Sequence, residues 1–228
     1  MLPPQIAVLI LGLMGSPEPA IKENTTIINE IKDPVIEMYD ELVSNTDEAP
    51  SPEVFRLAME GYQKLSNELK NQTLTIIDFS LPSTEKRMWI IDPIKAEVLL
   101  HSVVSHGRNS GDLMAVRFSN KPQSYQSSLG FYKTAETYQG KHGYSLRLDG
   151  LEKGFNDQAR NRAIVIHGAD YAQENFAKSV GRLGRSLGCP ALPPHLSAQA
   201  INLIKEGSLL FIFGDDENYL NQSMLLQP

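Results

Sequence analysis

From Thr73 to the C-terminus the chain is built of short apolar runs, too brief for helices and too closely spaced to be separated by them. The runs are Leu74 to Phe79, Met88 to Ile91, Val98 to Val104, Leu113 to Phe118, Tyr144 to Leu148, Ala163 to Ile166 and Leu209 to Phe213. Branched and aromatic residues dominate them and suit a pleated surface, and Asp92-Pro93, Asn109-Ser110-Gly111, Asp149-Gly150 and Gly214-Asp215 punctuate them as turns. Strands this frequent, with no helix alternating between them, argue against a doubly wound parallel fold and predict a mainly β domain, a sandwich or curled sheet. One late helix is expected at Leu196 to Lys205, between Pro193-Pro194 and a capping Gly207.

The N-terminal part has a different texture. Asp33-Pro34 and Ser51-Pro52 each pair a side-chain cap with a proline that loses no hydrogen bond in the first turn. After the second pair, Phe55, Ala58, Tyr62, Leu65 and Leu69 recur at three and four residues, an apolar stripe that must lie against something. These helices are expected to pack and orient, with no chemistry of their own. Before them, Ile6 to Met14 has the length of a signal-peptide core and falls short of the roughly 20 residues a membrane span needs. The expected organisation is a signal peptide over 1–20, a helical segment over 21–72 and the β domain over 73–228, with export from the cytoplasm and no stable membrane span.

Composition narrows the chemistry. With 21 basic against 27 acidic residues the formal net charge is −6, which disfavours a broad electrostatic grip on nucleic acid. A single cysteine excludes an internal disulfide and a structural zinc site of the usual several-cysteine kind. That cysteine, Cys189, follows Gly181-Arg182-Leu183-Gly184-Arg185-Ser186-Leu187-Gly188, where positive charge and exposed amides favour a thiolate over a buried hydrophobe. The amides around Gly188 and Cys189 are expected to form an oxyanion hole. Of the five histidines, His167 ends an apolar strand and precedes Gly168, placing an imidazole at a strand mouth. His106 is the second candidate base or a site-lining residue; His195 reads as a surface residue and His101 as structural. His101 and His106 point to opposite faces of one extended segment, and Asp215-Asp216-Glu217 lacks the pattern of a calcium loop, so no metal and no cofactor is expected.

His167-Gly168 followed by Ser186-Leu187-Gly188-Cys189 resembles the signature of the murein L,D-transpeptidase catalytic domain. The likeness extends through Val104-Ser105-His106-Gly107, Ser127-Ser128-Leu129-Gly130, Tyr138-Gln139-Gly140-Lys141-His142-Gly143 and Gly150-Leu151-Glu152, within about residues 73–215. It is closest to the subgroup whose cysteine element reads Gly-Arg-Ser-x-Gly-Cys-Pro-Ala. The resemblance implies a mostly β fold, an extracytoplasmic location in the periplasm or cell envelope, and action on peptidoglycan stem peptides. Cys189 would attack the carbonyl of the third stem residue, with D-alanine released through His167 and the acyl group passed to an amine. The Gly168 carbonyl would hold the imidazole tautomer, and Ser186 matches the Ser/Thr of the motif.

Three departures stand out. Leu187 replaces a histidine, Pro190-Ala191-Leu192 replaces the usual ending, and the stretch 168–185 is longer than the family's spacing. Arg182, Arg185, Lys141 and His142 are the candidates to supply the missing polar contacts. The segment Ser124 to Tyr144, with Tyr125, Phe131, Tyr132 and Tyr138, is expected to be a lid that excludes water and favours transfer. An L,D-carboxypeptidase, which passes the acyl group to water, and a non-catalytic wall-binding module are the alternatives. A papain-like protease is disfavoured because its cysteine precedes its histidine.

Overall fold

A computed structural model describes residues 33–227. The signal peptide expected over 1–20 lies outside the described residues. Helix α1 (Pro34–Asn45) opens as its sequence dictates: the Asp33 carboxylate accepts from the Val35 amide at 2.9 Å, with proline in the first turn. Ser51 caps α2 (Pro52–Leu65) in the same way, accepting from the Val54 amide at 3.4 Å. The apolar stripe of α2 is buried in the same core as the sheet strands, so α1, α2 and the sheet belong to one packing unit. Gly61 lets α2 approach closely, because a Cβ there would run into the Phe131 ring.

Strands β1 (Leu74–Asp78), β2 (Met88–Asp92), β3 (Glu97–Ser102), β4 (Gly130–Gly140), β5 (Gly143–Gly150), β6 (Val165–Gly168), β7 (Ala191–Leu192) and β8 (Leu209–Phe213) form one sheet in the order β3-β2-β1-β8-β4-β5-β6-β7. The β1–β8 and β6–β7 pairs are parallel and the others antiparallel. The chain leaving β3 at one edge returns to β7 at the other. Ser105 N donates to Ala191 O at 2.9 Å, Ser186 N to His106 O at 2.9 Å and Arg108 N to Ser186 O at 2.8 Å. The sheet is therefore curled and nearly closed, the second of the two expected architectures.

Helices α3 (Glu174–Val180), α4 (Pro194–Ile204) and α5 (Glu217–Gln222) complete the fold. The two prolines start α4 rather than precede it, since Pro194 occupies the first turn, where its missing N–H has no helical partner. The acidic run 215–217 serves the fold, because the Asp216 carboxylate caps α5 by accepting from Tyr219 N at 2.9 Å.

Two expectations fail. Leu113 to Phe118 is not a strand: Val116 N and Arg117 N donate to Ser110 O at 2.9 and 3.0 Å, folding the segment on itself and leaving Val116 exposed. The expected lid is largely a strand as well, because β4 occupies 130–140 and pairs with both β8 and β5. Phe131 and Tyr132 are wholly buried, and the Tyr132 hydroxyl donates to Ser128 O at 3.0 Å, so neither ring covers anything. Both β4 and the turn after β5 are secured by Glu152, whose buried carboxylate accepts from Phe131 N at 2.7 Å, from the Tyr219 hydroxyl at 3.0 Å and from Ser223.

Candidate active site

His167 sits in β6, between β5 and β7, where its register partners are Ser145 and Ala191. Its Nδ1 lies 2.9 Å from the Gly168 carbonyl oxygen. A carbonyl only accepts, so Nδ1 carries the hydrogen and Nε2 keeps its lone pair. Burial pushes the imidazole below its ordinary value and outweighs the Gly168 carbonyl, with His142 adding in the same direction. The ring is thus a neutral base near pH 7.

Cys189 lies two residues before Ala191, the β7 partner of His167, and its side chain meets the backbone of Val165, two residues before His167 in β6. Its Sγ is 3.7 Å from the Ala163 carbonyl oxygen, which accepts from the thiol. Burial pushes the thiol up, opposed by the Val165 backbone and by the Arg162 guanidinium. The expected thiolate is therefore absent at rest. The basic loop does not offset this burial, because Arg182 Nε and Arg185 Nη1 each lie 2.9 Å from the Asp112 carboxylate. Arg185 also donates to Gly111 O at 3.0 Å.

The loop before Cys189 is tied internally. Ser186 Oγ donates to Cys189 O at 2.6 Å and accepts from Gly188 N at 3.0 Å, so Ser186 shapes the turn and is itself buried. The Gly188 amide is thereby occupied, which corrects the expectation that it serves an oxyanion. Gly188 is required where it stands. Its φ is +126°, and a Cβ there would come to 2.9 Å from Gln126 O and 3.2 Å from Arg162 Nη2.

The remaining candidates separate clearly. His142, at the tip of the β4–β5 hairpin, stacks on His167 with ring centroids 4.4 Å apart. Lys141, beside it in the two-residue turn, is solvent-exposed. His106 is not available as a base or a lining residue. It is 1% exposed, its Nδ1 lies 2.8 Å from Arg87 Nη2, and burial with that guanidinium pushes it down to about 4. Tyr132 is excluded by its burial in β4. His101 is structural, stacked on Trp89 at 4.8 Å, and His195 is exposed in α4.

Two residues were missed. Tyr171 packs against Gly184, and burial with the Cys189 charge pushes its phenol up to about 12. Arg162 precedes the β6 run, and nothing in its local sequence marks it. A cleft of about 390 Å³ is lined by His142, Tyr144, Gly168, Asp170, Tyr171 and Ser197 among others, and Cys189 is not among its lining residues. A larger cavity of about 550 Å³, lined by Leu65, Leu69, Phe155 and Leu225 among others, includes neither Cys189 nor a histidine.

The profile of the L,D-transpeptidase catalytic domain family matches residues 46–213, beginning within the helical segment. No curated protein sequence matches the chain. Among solved structures, the chain is similar to an L,D-transpeptidase from Mycobacterium smegmatis (16% identity, 62% of this chain and 58% of that one, TM-score 0.37). It is also similar to an Enterococcus faecium L,D-transpeptidase variant (15%, 62% and 49%, TM-score 0.37) and to an L,D-transpeptidase from Stackebrandtia nassauensis (12%, 80% and 92%, TM-score 0.39). The chain spans 58% and 49% of the first two of these.

Proposed function

Because the chain belongs to the L,D-transpeptidase catalytic domain family, we propose that it is a peptidoglycan-modifying cysteine acyltransferase. Its substrate is a tetrapeptide stem, and its nucleophile is Cys189. The observation that carries this reading is the His167 Nδ1–Gly168 O hydrogen bond of 2.9 Å on the strand beside the cysteine. It leaves Nε2 free to take the thiol proton.

In this reaction Sγ loses its proton to Nε2 and attacks the carbonyl of the third stem residue. The tetrahedral adduct collapses with cleavage of the C–N bond, and the imidazolium returns the proton to the departing D-alanine amine. A thioester remains on Cys189 until the side-chain amine of a second stem takes the acyl group. Both partners of the dyad are neutral at rest, so the proton moves as the carbonyl is attacked. Such a substrate puts the protein in the cell envelope; no described helix is long and apolar enough to cross a membrane.

Hydrolysis is the second reading. It is favoured by β4, which occupies the place of the expected cover and removes Phe131 and Tyr132 as shields for the thioester. Offering a tetrapeptide stem with and without a second amine-bearing stem, then weighing the products, separates the two. A cross-linked dimer with free D-alanine is expected. Tripeptide alone at saturating amine would make the protein a carboxypeptidase, and no product from either mixture would overturn the substrate.

A further inference from the structure

We propose that Arg162 is a positioning residue for the Cys189 thiolate, its guanidinium held on neutral oxygens against Gly188 so that its charge is left for the sulfur. The inference rests on reading Cys189 as the nucleophile. Its four Nη hydrogen bonds run to Ser119 O at 2.6 Å, Ser128 Oγ, Gln126 O at 2.6 Å and Ser124 Oγ at 3.3 Å. None of these acceptors is charged. Arg160, two residues earlier on the same turn, is paired with both Glu136 and Asp149. Among the described residues Arg162 has no acidic partner, although desolvating an unpaired cation is costly.

The surroundings are built to hold it there. Three of the non-glycine residues with positive φ flank this arginine: Gln123 at 61° and Tyr125 at 56° on either side of Ser124, and Ala163 at 54° next in the chain. Strain of this kind persists only where neighbouring contacts over-determine it. Ala163 presents its carbonyl to the thiol, and Nη2 of Arg162 bounds the space at Gly188, so one turn supplies both the acceptor of the resting thiol and the cation for its ionised form. The Tyr171 phenol is the other ionisable group that feels the Cys189 charge, Tyr132 faces the guanidinium from β4, and His167 lies in β6 two residues beyond Val165. The Arg162 charge has most effect when the proton leaves Sγ, so it lowers the barrier to attack without requiring a standing thiolate.

The test is the pH profile of Cys189 alkylation by iodoacetamide in the full chain, read beside the thermal midpoint. Arg162→Gln should raise the alkylation midpoint by about one pH unit and slow the reaction near neutrality about tenfold. Arg162→Lys should restore most of it. Ser128→Asp keeps the arginine but gives it a carboxylate, and should move the profile in the same direction as Arg162→Gln. A profile unmoved in Arg162→Gln and in Ser128→Asp, with only the thermal midpoint lowered, would overturn the proposal and make Arg162 a packing residue. If Arg162→Gln does not fold, Ser128→Asp against wild type decides alone. Alkylation needs no wall substrate, so this result stands apart from whether stem peptides are turned over.

Discussion

In β1 and β8 every side chain is buried; β8 is a continuous run of Leu, Ile and Phe, and β1 is Leu and Ile with Thr75 and Asp78. At the other end of the sheet β6 has four residues and β7 two, and their seam carries His167 and leads directly from Cys189. The first region derives its stability from apolar area, each fully buried Leu, Ile or Phe contributing on the order of 1.5–3 kcal/mol. The second is held by hydrogen bonds to loops: Ser105 to Ala191, Ser186 to His106, and Ser186 to the turn of its own loop. Packing fixes the scaffold, and polar stitching at a short edge leaves Cys189 only half-buried.

The sharpest way to break this contrast is one substitution in each region. Cys189→Ala should abolish turnover while changing stability by no more than about 1–2 kcal/mol, because the residue is half-buried at the edge. Phe211→Ala should cost about 3–5 kcal/mol, since its wholly buried ring stacks on Phe131 at 4.4 Å, yet the remaining folded protein should keep its specific activity. Denaturant unfolding and turnover, measured on both variants, read the two effects separately. A Cys189→Ala protein that unfolds would place the sulfur in the core instead of the site.

The same contrast explains what could be read from the sequence. β1, β2 and β8 were legible because an uninterrupted apolar run bounded by turn residues has few alternatives. β4 was not. Its Lys133, Glu136 and Gln139 break the apolar pattern, and Phe131 and Tyr132 are hidden by β8, a strand about 80 residues away in the chain. Cys189 and His167 drew attention by residue type and neighbours, and so did His142, which the structure stacks on His167. Arg162 did not, because its place depends on how the loop 119–128 folds over it. Arg182 and Arg185 misled for the converse reason: the loop carrying them is basic in sequence, but Asp112 arrives from elsewhere to meet both.

A smaller effect sharpens the comparison through pH. His106 closes the seam between the chain after β3 and the cysteine loop, and its imidazole is pushed down to about 4 inside the protein. Unfolded, it would titrate near 6.5, so between those values only the unfolded state takes up the proton. Its stabilising contribution is present above about pH 6.5 and is lost as pH falls toward 4, reaching roughly 3 kcal/mol. His106→Gln, compared with wild type by denaturant unfolding across that window, should remove this part of the acid slope. Equal slopes in the two proteins would show that the seam does not titrate.

The central claim is that Cys189 carries the acyl group and His167 makes it reactive. Mass spectrometry of the intact protein after mixing with a tetrapeptide stem, followed by mapping of the modified peptide, tests both at once. The predicted result is a mass increase equal to the stem less D-alanine, located on Cys189, with its formation slowed at least about a hundredfold by His167→Ala. An adduct on another residue, or one that forms at the wild-type rate without His167, would contradict the account.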